Sequence, residues 1–164
     1  MSKNELTTEK MTQALGWAYE KALNGIPGDL SSESLAKSYM KRFSSTDEAI
    51  HSLIKWQTAK SSTSGFVTGL GGIVTLPVAV PVNIASVLYV QMRMIAAIAY
   101  MRGYDLKDDQ VQTFVFICLT GQAASDILKQ SGITVGTKLT VQLIKKVPGA
   151  TLTKINQKVA FRLV

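Results

Sequence analysis

The sequence predicts an all-α protein: a compact bundle of six or seven helices with a central Gly/Pro-containing hydrophobic helical hairpin. Three observations lead there. Apolar residues recur at three- and four-residue steps over segments of helical length, and glycine- and proline-bearing turns separate those segments. The run from Ser61 to Met92 carries no charged residue. Only ITVGTKLTVQL has the period of a strand, and it has no partner strand elsewhere in the chain.

The elements follow in order. Leu6 to Leu23 places Met11, Ala14, Leu15, Ala18 and Ala22 on one stripe, the pattern of an amphipathic helix. NGIPGD stops it, because Gly25, Pro27 and Gly28 deny continuation. Ser31 or Ser32 caps a short second helix that ends near Phe43. Ser45 and Glu48 have capping-box spacing and start a third, with Ile50, Leu53, Ile54 and Gln57 to one side. Asn83 to Met101 is almost continuously apolar and free of Gly and Pro, so a long helix is predicted, closed by Gly103. Asp105 and Asp108 favour the positive end of a further helix, predicted to run to Ser131 and close at Gly132. Ile133 to Leu143 fits a strand period and a helix face alike; the missing partner strand favours helix. Pro148 and Gly149 break it before a last helix from about Leu152 to Arg162.

The uncharged run exceeds the roughly 20 residues that a bilayer crossing needs. Pro77 and Pro81 interrupt it, and each lacks a backbone donor. Gly65, Gly69, Gly71 and Gly72 weaken the helix before them. The run therefore reads as two arms, Ser64 to Leu76 and the helix from Asn83, bent through PVAVP. Gly65 and Gly69 allow close backbone approach, and with Phe66, Leu70, Gly71, Gly72, Leu76, Pro77 and Pro81 they form the expected membrane or partner hairpin. A buried hairpin of a soluble bundle fits the same residues. Arg93 shares a face of the long helix with Ser86, Tyr89 and Tyr100, and is expected at the interior edge or among headgroups, paired with Asp126 or Asp109.

Charge is unevenly placed. The net charge is +7, yet basic and acidic residues balance up to Asp126. From Ile127 onward there are Lys129, Lys138, Lys145, Lys146, Lys154, Lys158 and Arg162, and no acid. Such a block favours an anionic partner. Phe161 is the only aromatic residue after Phe116, so the stacking side chains of single-strand recognition are missing and no nucleic acid is expected. Acidic lipid fits better, contacted by Lys138, Lys145, Lys146, Lys154 and Lys158.

Catalytic patterns are not found. GLGGIV has Val74 where a dinucleotide fingerprint needs its third glycine. His51 is the only histidine and is expected at the surface. Asp105, Asp108 and Asp109 are read as cap and turn residues. Cys118, the only cysteine, lies in TFVFICL and is expected to be a buried thiol. No enzyme, cofactor or metal is expected.

The residues IKWQTAKSSTSGFVTGLGGIVTLPVAVPVNIASVLYVQMRMIAAIAYMRGYDL, with the later ILKQSG, IKKVPG and INQKVAFRL, resemble the EcsC-like family of bacterial proteins. The specific part is the glycine-rich approach to a Pro-containing apolar segment, then Arg93, eight residues, and Arg102-Gly103-Tyr104-Asp105. The resemblance runs from about Glu48 to Val164, leaving 1–44 as an N-terminal helical segment and 45–164 as the EcsC-like domain. It implies a mostly helical domain with a hydrophobic hairpin, often encoded near transport or envelope functions, with no established reaction and no catalytic residues to carry over. It supports helix for Ile133 to Val147. It also implies truncation at the C-terminal end, since family members continue into a second glycine-rich apolar segment.

The expected function is a non-enzymatic module peripheral to the cytoplasmic face of the cell membrane, binding anionic lipid through the hairpin and the basic C-terminal surface. The alternative is a soluble protein-interaction domain, or a defence- or toxin-related component, whose hairpin packs on a protein partner or a second copy, giving a homo-oligomer. A weaker alternative is a carrier of a small apolar ligand or lipid, with a cavity between the hairpin and the Phe114 to Leu119 helix.

Overall fold

A computed structural model describes residues 6–61, 80–133 and 145–164. Seven α-helices make up most of that: α1 Thr8–Asn24, α2 Ser32–Met40, α3 Thr46–Ser61, α4 Val82–Met101, α5 Asp109–Cys118, α6 Ala124–Gln130 and α7 Gly149–Leu163. A short 3-10 turn, Gly121–Ala123, precedes α6. Among the described residues there is no strand, and the fold is all-α.

Local chemistry sets the helix ends. The Thr7 hydroxyl accepts from the Lys10 N–H at 3.2 Å and opens α1. Ser31 does the same for α2 through the Ser34 N–H, and Ser45 for α3 through the Glu48 N–H. The Glu48 carboxylate accepts from the Ser44 hydroxyl at 3.3 Å. Gly25 ends α1 at φ 78°, and a Cβ there would meet the Ser31 nitrogen at 3.1 Å and the Asp29 oxygen at 3.2 Å. That turn needs glycine twice over, for its hand and for its space.

α4 is the hub. It packs against α1, α2, α3 and α5, while α7 closes over α1 and α5. One face of α4 joins the main core with Ala85, Leu88, Met92 and Ala96, against Leu15 and Ala18 of α1, Phe116 of α5 and Val159 of α7. Its other side meets a second core through Ala97 and Met101, against Leu35, Tyr39 and Leu53. Small residues at Ala85, Ala96 and Ala97 let the neighbouring helices come close. Tyr19 and Phe116 meet edge to face across the main core, 5.8 Å between ring centroids.

Two expectations are corrected. The helix predicted from Asp108 to Ser131 is broken after Cys118. The Leu119 and Thr120 N–H groups bond three residues back, and the Thr120 hydroxyl donates to the Ile117 carbonyl at 2.6 Å. Gly121 then takes φ 60° and stops the helix. Cys118 is exposed, not buried, because α5 turns Val115, Phe116 and Ile117 inward and presents this position outward. Within the predicted hairpin, Pro81 is the N-cap of the second arm, α4. The first arm, with Gly65, Phe66, Gly69, Leu70, Gly71, Gly72, Leu76 and Pro77, lies outside the described residues, as does most of Ile133 to Val147, Lys138 included.

Candidate functional site

α7 carries a two-sided pattern. Leu152, Ile155, Val159 and Ala160 are buried and hold the helix on the core. Thr113 of α5 fixes its rotation, donating its hydroxyl proton to the Asn156 side-chain oxygen at 2.9 Å. With those positions inward, Lys154, Lys158, Phe161 and Arg162 fall on one outer strip at helical spacing. Phe161 is 73% exposed, an aromatic ring that the fold leaves in water.

The strip borders an open cleft of about 860 Å³ between α7, α1 and α6. Thr8, Glu9, Thr12 and Gln13 contribute from α1, and Asp126 and Gln130 from α6. Three cations and two carboxylates therefore line the same depression, so its charge is mixed with a positive excess. The other lysines sit elsewhere. Lys145 and Lys146 are exposed ahead of α7, and the Lys145 Nζ lies 3.8 Å from a carboxylate oxygen of Asp108. The basic residues of the C-terminal quarter thus form more than one group, and the structure brings Lys154 and Lys158 together with Arg162.

Arg93 is buried, 3% exposed, and pairs with Asp29 rather than with Asp126 or Asp109. Both expected partners are exposed, and Asp126 lines the cleft just described. The Gly25–Ser31 turn swings Asp29 against α4 instead. The Arg93 Nη1 also donates to the Leu30 carbonyl at 3.0 Å, and its Nη2 to the Gln57 side-chain oxygen at 2.7 Å. Tyr89, one turn earlier, donates to the second Asp29 oxygen at 3.3 Å, and the guanidinium carbon stands 5.9 Å from that ring's centre. Ser32 donates to the Ala22 and Arg93 carbonyls, joining the start of α2 to α1 and α4. Burial is the main cause that pushes the Tyr89 hydroxyl up to about 12, with the Asp29 charge adding to it. This is a locking network. It satisfies a buried charge and ties α2 and α3 to α4.

The other singled-out residues carry little chemistry. His51 is exposed on α3, as expected. Asp105 accepts from the Lys107 N–H at 3.0 Å, a turn contact, while Asp108 is the N-cap position of α5 and Asp109 lies in its first turn. Although its residue is exposed, the Cys118 thiol rests against the α4–α5 seam, and that partial burial pushes it above its ordinary value, opposite to what an activated nucleophile needs. Sequence reading missed Asp29 and Gln57 as partners of Arg93, and missed Phe161 and Arg162 as part of the exposed strip. Extending the α7 stripe by one turn would have found the last two.

No curated protein matches this chain, and no solved structure does. A family model does, the one described as the EcsC protein family, over residues 2–157. That match takes in the first forty-odd residues, which the resemblance had left outside. Covering nearly the whole length, it shows that the chain belongs to the EcsC protein family.

Proposed function

We propose that this chain is a non-enzymatic helical module that binds the cytoplasmic face of an anionic membrane peripherally, chiefly through the outer strip of α7. The observation that carries the reading is that strip: Lys154, Lys158 and Arg162 beside a ring that is 73% exposed. Cations meet acidic headgroups while an aromatic side chain enters the interfacial zone, the usual division of labour on a membrane-surface helix. The uncharged sequence before Pro81 adds a second apolar contact. α4 is long and apolar enough to cross a membrane, but it supplies the centre of the bundle. In this reading it stays there.

Flotation with phosphatidylglycerol-rich vesicles tests the reading. Cations near such a surface contribute about 1 kcal/mol each, so K154Q/K158Q/R162Q is expected to weaken binding by roughly 100-fold. High salt should mimic that loss, and Phe161→Ser should weaken binding at every salt concentration. A triple variant that floats like the wild type would rule the strip out. The central position of α4 also suits the second reading, a soluble protein-interaction domain; protein that never floats and elutes as a discrete oligomer without lipid would favour it.

A further inference from the structure

Between α4 and α5 lies a second depression, about 250 Å³, away from the α7 strip. Ile95, Ile98 and Ala99 line it from α4, and Phe114 and Cys118 from α5, with Arg102 as its cation. A groove walled by hydrocarbon and bordered by one guanidinium matches an amphiphile with an apolar chain and an anionic head. We propose that this groove binds a free medium-chain carboxylic acid, its chain along the α4–α5 seam and its carboxylate on Arg102. The proposal goes beyond the membrane reading and does not depend on it.

Three features support it. The volume falls below that of most drug-sized pockets, which suits a single chain rather than a ring system. Ile95 to Arg102 and Val111 to Cys118 each span about 10 Å of helix, and the short connection between the helices makes them antiparallel neighbours. Arg102 therefore stands at one end of the seam and Cys118 at the other. Finally, Arg102 Nη2 donates to Asp47 at 2.6 Å, but that carboxylate is 81% exposed. An ion pair so open to water contributes little. A ligand carboxylate that also buries a chain can displace Asp47 or share the guanidinium's remaining N–H groups.

Cys118 makes the test direct, because it is the only cysteine and lines the tail end of the groove. The alkylation rate of the full-length protein by N-ethylmaleimide is measured by intact mass at one pH. Octanoate is supplied below its micelle concentration, with no vesicles present. Octanoate is expected to slow alkylation at least tenfold, and butyrate, which has the head without most of the tail, to leave it unchanged. Octanol should protect only at several-fold higher concentration, and Arg102→Gln should bring the acid down to the alcohol's level. Asp47→Asn should tighten binding of the acid several-fold by freeing the guanidinium. Ala99→Phe, which fills the seam, should abolish protection; its melting curve shows whether it folds, and the exposed Arg102→Gln change tests the head group independently. Equal protection by acid and alcohol overturns the proposal, as does protection that persists in folded Ala99→Phe. So does a thiol that octanoate does not protect, or one already unreactive without ligand. None of these outcomes bears on vesicle flotation, so the two readings fail separately.

Discussion

Arg93 is a charge placed inside an apolar helix, and its surroundings show how such a charge is tolerated. Asp29 neutralises it, while Leu30 and Gln57 take further donors. Breaking a buried pair by removing one partner strands the other, at a cost of about 3–5 kcal/mol. Urea denaturation should therefore show Arg93→Ala and Asp29→Ala each strongly destabilised. Arg93→Met combined with Asp29→Leu should lose less than the sum, because no charge is then left alone. Tyr89 reports on the same network through pH. Its folded pKa of about 12 lies above the ordinary tyrosine value near 10. Its contribution is thus complete below pH 10 and is lost as pH rises towards 12, by on the order of 3 kcal/mol. Urea midpoints measured across that window should fall steeply for the wild type and less steeply for Tyr89→Phe. An equal slope in the two would separate Tyr89 from the alkaline loss.

At the scale of elements, the chain's own punctuation does much of the positioning. The Gly25 turn ends α1 and delivers Asp29 to α4, so its conformation matters far beyond the turn itself. Gly25→Ala is expected to cost roughly 1–3 kcal/mol from its positive-φ, extended backbone alone, with more from crowding against Ser31 and Asp29. A thermal melt within experimental error of the wild type would show that the turn can relax without disturbing the network. These stop signals, the Ser31 and Ser45 caps and the extent of α4 were all legible in the sequence, because each depends on neighbours within four residues. The break after Cys118 was not, since the apolar pattern continues through Gly121 and a lone glycine inside a helical run is often tolerated. The partner of Arg93 was not legible either. An arginine among apolar residues signals that a carboxylate is needed, but local spacing cannot choose among acids distant in the chain.

At the scale of the molecule, a helix that is apolar but for Arg93 and a few uncharged polar side chains poses one physical problem with two solutions. α4 can be covered by lipid or by other helices, and both favour the apolar side chains that make up most of it. That is why sequence alone left the bilayer and the core as rivals. Here α1, α2, α3 and α5 pack on it and bury Ala85, Leu88, Met92, Ala96 and Ala97, while Val87 stays exposed; in the proposed reading, contact with lipid falls to the amphipathic outer side of α7. In the proposed reading a fixed core carries a charged, ring-bearing rim. Hydrogen exchange of the protein bound to phosphatidylglycerol vesicles tests that pairing most directly. Amides of α1, α2 and α4 should exchange as slowly on vesicles as in solution. Loss of protection in α1 and α2 upon binding would mean that α4 had left them for the bilayer, and the account would be contradicted.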